Sequence, residues 1–371
     1  MKLAATFGTL ASLSAIETSA QPTRPGQSLY VTETPDDIRP YVIAKNYGSN
    51  IQLANQVMRI PVSGNSSAGT FSILQIAAPQ SATVGVVPHI HKRFYENFYC
   101  SRGRLQLWTQ SNTSDAEHNT RVLTQGDFGA VAHDTIHTFQ TLDPDTMFTV
   151  VIQPGGFEAL FLLRGNGAYD SPIGSAYLPA NASGSSSTPP LEVLQAYDHW
   201  PMSNFIPRRD DINGIAGSGN WHNGSNEPAS DATTPFYIAK GWGPKYLNSE
   251  GGVYKIIAPL QTETTSAGNL TMGTITMSPL QPGGRPSQAV FTEHTSLIME
   301  EGQLVVTVNG ETAKLIDGDL IFVPAGTPFT YYASTAVTKF VYVNPGRDGL
   351  ASQLMQNSIP WDYVTYPQYA P

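Results

Sequence analysis

The sequence predicts an all-β protein built from two similar domains. Three observations lead there. The 371 residues include 33 glycines and 28 prolines, well above the ~12% combined average, so long helices are interrupted everywhere. Apolar residues recur with period two in short runs bounded by turn residues. One pattern, a hairpin followed by a Gly-Asp turn, occurs twice.

In chain order, residues 1–20, "MKLAATFGTLASLSAIETSA", read as a secretory signal peptide: a lysine at the start, a short apolar stretch, and small residues at Thr18 and Ala20 for cleavage. The stretch is too short to span a bilayer, and no later segment reaches the roughly 18 apolar residues a membrane helix needs. Residues 21–165 are expected to form the first β domain, through strands in "TFSILQIAA", "NFYCSRGRLQLWTQ" and "MFTVVIQPGG". Residues 166–235 read as a linker, because "ANASGSSSTPP" has no periodicity; a short helix is expected at Leu191–Tyr197. Strands resume in "LTMGTITMSP", "SLIMEEGQLVVTVNG" and "TKFVYVNPG", giving a second domain at 236–345 and a tail at 346–371. Aligning Gly103 with Gly302, and Gly126-Asp127 with Gly318-Asp319, superposes the two hairpins and the turn after each. The spacing is too long for a solenoid and suits duplicated domains.

Composition narrows the function. The net charge is −9 and no basic run exceeds Arg208-Arg209, which excludes a nucleic-acid surface built on clustered Lys and Arg. Cys100 is the single cysteine, so no internal disulfide can form and stability must come from burial. Asn65, Asn112, Asn181, Asn223 and Asn269 head Asn-x-Ser/Thr sequons, as expected of a secreted glycoprotein.

The chemistry concentrates in "GVVPHIHKRFYENFYCSRGRLQLW", Gly85 to Trp108, which holds His89, His91 and Glu96. Alternate strand residues share a face, so His89 and His91 project together. Glu96 stands at an odd offset and needs a turn through "KRFY" before it can join them. A distant histidine would complete a set of three imidazoles and one carboxylate. His133 and His137 share strand parity, so periodicity leaves both open; the internal alignment, which sets His137 opposite Phe329, favours His137. An isolated His-x-His reads better as an exposed polar strand, and it is the whole constellation that points to a metal. Imidazole suits copper, iron, nickel or zinc. His118, His199, His222 and His294 are expected to be surface or structural.

These residues resemble the cupin superfamily, whose first motif reads G-x5-H-x-H-x3,4-E-x6-G and whose second reads G-x5-P-x-G-x2-H. His89, His91, Glu96 and Gly103 match the first, with the leading glycine offset at Gly85; Gly126 and His137 match the second, with Ala132 and Asp134 where the family has Pro and Gly. The resemblance implies a bicupin, two jelly-roll β-barrels joined by a long connector. In the second half Gly318, Pro324 and Gly326 fit better, but the ligand positions become Gln288, Val290, Thr295 and Phe329, so that half is expected to be metal-free.

A secreted bicupin with one metal in its N-terminal half resembles the fungal quercetin 2,3-dioxygenases. That resemblance implies cleavage of the central ring of flavonols with O2, releasing carbon monoxide and a depside. It implies one copper per chain on His89, His91, Glu96 and His137, with Glu96 as catalytic base; manganese, iron, cobalt or nickel suit the same ligands. Phe98, Phe139, Phe148, Ile152, Leu74 and Ile76 are the expected walls of a flat apolar slot. The expected partners are a flavonol and O2, without nucleic acid or membrane, and a homodimer is compatible with the chain. The alternatives are a secreted cupin dioxygenase for another phenolic, an oxalate decarboxylase-like bicupin, and a non-enzymatic storage or binding bicupin.

Overall fold

A computed structural model describes residues 28–165, 167–169, 189–216, 220–224, 226–280 and 282–367. The expected signal peptide at 1–20 and the sequon at Asn181 lie outside them. Each alternating segment named above forms a strand, including Ser72–Ala78, Tyr95–Arg102, Leu105–Ser111, Thr146–Gln153, Leu270–Met277, Thr295–Glu301, Leu304–Val308 and Thr338–Pro345. No described helix is long and apolar enough to cross a membrane.

The strands form two double-sheet units, as expected for a bicupin. In the first, a seven-stranded sheet faces a six-stranded one. Between them lies a core that includes Leu74, Ile76, Phe98, Leu107, Phe139 and Phe148. In the second, a nine-stranded sheet faces a four-stranded one over Ile257, Leu297, Val306, Phe329 and Tyr342. A third apolar cluster joins Phe71, Tyr99, Phe128 and Val151 of the first unit to Leu270, Ile298, Phe322 and Val343 of the second. The large sheets therefore pack back to back. Ser72–Ala78 and Gln56–Val62 are buried at every position, because one face meets their own core and the other meets the neighbouring unit.

Strand pairing crosses the expected domain limits. Tyr41–Ile43, early in the chain, pairs antiparallel with Leu320–Val323 of the second unit. Phe236–Ile238, after the connector, pairs with Phe128–Val131 of the first. The turns that follow are matched atom for atom: Lys45 N donates to Asp319 Oδ1 at 3.0 Å, and Lys240 N donates to Asp127 Oδ1 at 2.8 Å. Gly126 and Gly318 have φ of 91° and 84°, and a Cβ on either would meet the stem of Lys240 or Lys45. Glycine is required there twice over. In the tail, Ser358–Pro360 adds an edge strand beside Tyr246–Asn248.

Candidate metal centre

The short strand His89–Ile90 pairs with Thr135–Thr141, with His89 directly opposite His137. The turn after it places Glu96 on Tyr95–Arg102, whose inward residues Phe98 and Cys100 follow at period two into the core. His89, His91, Glu96 and His137 are all buried, and one ligand atom from each lies within 4.8 Å of the others. His133 is elsewhere, its ring 3.9 Å from that of Tyr95. Parity alone could not separate the two histidines; the fold brings only His137 to the cluster.

Each of the three histidines spends its Nδ1–H on a backbone carbonyl: His89 donates to Val87 O at 2.8 Å, His91 to Asp198 O at 2.7 Å, and His137 to Thr135 O at 2.9 Å. A carbonyl only accepts, so the tautomers are fixed and the Nε2 lone pairs turn inward. His137 Nε2 stands 2.8 Å from Glu96 Oε2. His91 Nε2 stands 3.3 Å from the same oxygen without hydrogen-bond geometry and has no hydrogen-bond partner among the described residues. Burial pushes the Glu96 carboxyl up, but the neighbouring His137 and His91 outweigh it and bring it down to about 2. Burial, then the neighbouring histidines, pushes His89 well below the usual imidazole range. Three buried lone pairs and a carboxylate facing one point call for a positive charge. The donor set fits a transition-metal ion: imidazole nitrogen with one oxygen donor.

The connector completes the site. Its Leu191–Ala196 helix, close to the expected one, is followed by Trp200–Pro201, which pairs with His89–Ile90. Asp198 holds this junction: its carboxylate accepts from Lys92 N at 3.1 Å, Arg93 N at 2.7 Å and Trp200 Nε1 at 3.0 Å, and its carbonyl receives His91. His199, expected to be surface or structural, is buried and stacks on His89 with ring centres 4.0 Å apart. Burial, with the neighbouring histidines, lowers it to about 3, so it stays neutral.

A cavity of about 400 Å³ opens onto His89, Glu96 and His137, within the roughly 300–1,000 Å³ of small-molecule sites. Of the expected walls, Phe98, Phe139 and Ile76 line it. Phe148, Ile152 and Leu74 do not: they lie in the core, and the Phe148 ring packs 6.2 Å behind Phe98 and 5.0 Å from Phe139. The remaining wall comes from Met58, from the connector's Leu194, and from a helix, Glu158–Arg164, that the strand pattern did not suggest. Phe157, Leu160, Phe161 and Arg164 all line the cavity and recur at helical spacing, a signal present in the sequence. Gly85, the offset motif glycine, lines it too; a Cβ there would come within 2.4 Å of Phe139 Cε2.

In the second unit, Thr295 and Phe329 are buried, Phe329 against Phe291 and Tyr331, while Gln288 and Val290 are exposed. The strand register there sets Ala289, not Gln288, opposite Phe329, where the first unit sets His89 opposite His137. A larger cleft of about 580 Å³ between the units is lined by Lys240, Trp242, Lys245, Glu301, Lys339 and Tyr366. It brings together no set of metal ligands among the described residues, and its lysines are engaged by Glu301, by Glu300 and by the carbonyls of Gly241 and Gly243. Asn65, Asn112, Asn223 and Asn269 are all exposed.

The chain is 40% identical over 348 residues to the quercetin 2,3-dioxygenase of Aspergillus japonicus, covering 92% of this chain and 98% of that one. It is 28% identical over 147 residues to the quercetin 2,3-dioxygenase of Bacillus subtilis (strain 168), covering 40% and 41% of the two chains. Among solved structures, the putative glyoxylate-induced protein of Pseudomonas aeruginosa superposes with a TM-score of 0.50 at 11% identity, over 89% of this chain and 96% of that one. That likeness concerns the fold alone. No protein-family model matches the chain.

Proposed function

The chain belongs to the quercetin 2,3-dioxygenase family and is a dioxygenase; from that premise, we propose that it is a secreted, copper-dependent enzyme that opens the central ring of flavonols with O2, releasing carbon monoxide and a depside. The observation that carries this reading is the convergence of His89, His91, His137 and Glu96 at one end of an apolar cavity. His89, His91 and His137 would hold the metal. Copper suits them best, since Cu(II) binds such ligands most tightly among the divalent first-row ions; manganese, iron, cobalt and nickel remain chemically compatible. When bound, the metal supplies Lewis acidity that makes the flavonol 3-hydroxyl easier to ionise.

The chain's own residues do the rest. Glu96, ionised at neutral pH, accepts the 3-hydroxyl proton at Oε2, the oxygen that already faces His137. Phe98, Phe139 and Phe157 offer flat apolar surface for the ring system and exclude water. His199, held neutral against His89, fixes that ligand's ring plane.

The test is quercetin turnover by the copper-loaded protein with the headspace analysed for carbon monoxide. About one equivalent per flavonol consumed supports the reading. Consumption without carbon monoxide favours a dioxygenase for another phenolic.

Secretion with glycosylation is the second part of the proposal, supported by the leader-like residues 1–20 and by four exposed sequon asparagines. The secreted protein should begin near Gln21 and migrate faster after glycosidase treatment. An intact Met1 on extracellular protein would contradict it.

A further inference from the structure

Gln56 starts the strand Gln56–Val62, is 4% exposed, and lines the same cavity as His89, Glu96 and His137. Its Nε2 donates to the carbonyl oxygen of Gly85 at 2.7 Å. Only the amide nitrogen can make that bond, so the orientation of the amide is fixed and Oε1 points the other way. Oε1 is buried and has no hydrogen-bond partner among the described residues. Much of the cavity's lining is apolar, including Leu53, Met58, Ile76, Phe98 and Phe139. A buried acceptor left unmatched is destabilising unless something brings it a donor.

We propose that Gln56 is a specificity-determining residue, its Oε1 accepting a hydrogen bond from a phenolic hydroxyl of the ligand other than the reacting one. This rests on the flavonol reading of the same cavity. The acceptor demands O–H and penalises C–H or O–CH3 at that point, because a ligand lacking the hydroxyl seals the oxygen away unpaired. Arg164 extends the same logic with the opposite polarity. It lines the cavity from the Glu158–Arg164 helix, and its Nε is buried without a hydrogen-bond partner among the described residues. A polyhydroxylated aromatic, which carries donors and acceptors around a flat apolar body, satisfies both; an unsubstituted one satisfies neither.

The experiment measures binding without turnover, by anaerobic fluorescence titration of the copper-loaded protein. The ligands are quercetin and 3-hydroxyflavone, whose only hydroxyl is the reacting one. In Gln56→Met the Kd for quercetin should rise about tenfold, the effect of one buried hydrogen bond, while 3-hydroxyflavone binds as well as to the wild type or better. Equal weakening of both ligands, or no change in either, overturns the inference. If Gln56→Met does not fold, Gln56→Asn, which withdraws the amide by one methylene, must show the same loss of preference; an unaltered preference overturns the inference. Failure of the wild type to bind either ligand overturns the flavonol reading as well. Normal wild-type binding with an unaltered ratio in the variant overturns only the role of Gln56.

Discussion

His137 Nε2 stands 2.8 Å from Glu96 Oε2, while its Nδ1–H is committed to the carbonyl of Thr135 at 2.9 Å. A neutral imidazole with that tautomer presents a lone pair to a carboxylate, which is repulsive without a shared proton or a cation. The same holds for His91, whose Nδ1–H is committed to Asp198. The site is preorganised for positive charge by its hydrogen bonds to the backbone, not by flexible side chains that must first be ordered.

Stoichiometry follows from this cluster. Elemental analysis should give one metal per chain. His137→Ala should lose it, and His133→Ala should keep it, since His133 packs on Tyr95 away from the cluster. Two metals per chain, or the reverse response of the two variants, would contradict the assignment.

Asp198 should matter to the metal without touching it. Replacing it with Ala removes the acceptor for Lys92 N, Arg93 N and Trp200 Nε1 and loosens the carbonyl that fixes His91. Metal affinity should fall by about 10- to 100-fold, typical for loss of a group that orients a ligand. Competitive chelation reads this directly, and unchanged affinity would show that the connector merely passes by.

Much of this was legible in the sequence, and the misses have physical causes. Strands were visible because a sheet face imposes period two, and the ligands because a metal fixes their spacing. The exchange of strands between units is not encoded in strand periodicity, although "IAKNYG" at Ile43–Gly48 and "IAKGWG" at Ile238–Gly243 repeat the same turn. Both supply a lysine backbone N–H to an aspartate of the other repeat's turn. His199 escaped because its role depends on where the connector docks, which local pattern does not encode. Phe148, Ile152 and Leu74 have the right parity for the cavity. Parity selects the inner face of a sheet, not the depth along it, and these three sit in the layer behind.

The aromatic walls separate into two groups by the same distinction. Phe98→Ala or Phe139→Ala should raise KM, or lower kcat by up to about 10²-fold through misplacement of the substrate, with the metal retained. Phe148→Ala, deep in the core and fully buried, should instead cost about 3–5 kcal/mol of stability by leaving a cavity. Steady-state kinetics and denaturant unfolding of the three variants test the division.

His294, in the second unit, makes stability depend on pH. Its Nδ1 accepts from Ala325 N at 3.0 Å, and burial lowers its pKa from the usual 6.5 to about 4. Between those values the unfolded chain takes up a proton that the folded chain refuses, so stability falls as pH drops from about 6.5 to about 4. The loss reaches about 3 kcal/mol at most. His294→Gln, which keeps an acceptor but cannot titrate, should flatten that part of the profile in urea unfolding. An unchanged slope would mean that His294 does not carry it.

The most direct measurement on the central claim is the metal content and flavonol turnover of Glu96→Gln. Glutamine keeps the size and a carbonyl oxygen of Glu96 but cannot accept the 3-hydroxyl proton, while the three imidazoles still present their lone pairs. The variant should stay folded and copper-loaded and turn quercetin over at least about a hundredfold more slowly, in the range for removal of a general base. Copper loss would make Glu96 chiefly a ligand, and near-normal turnover with copper retained would contradict its role as the base.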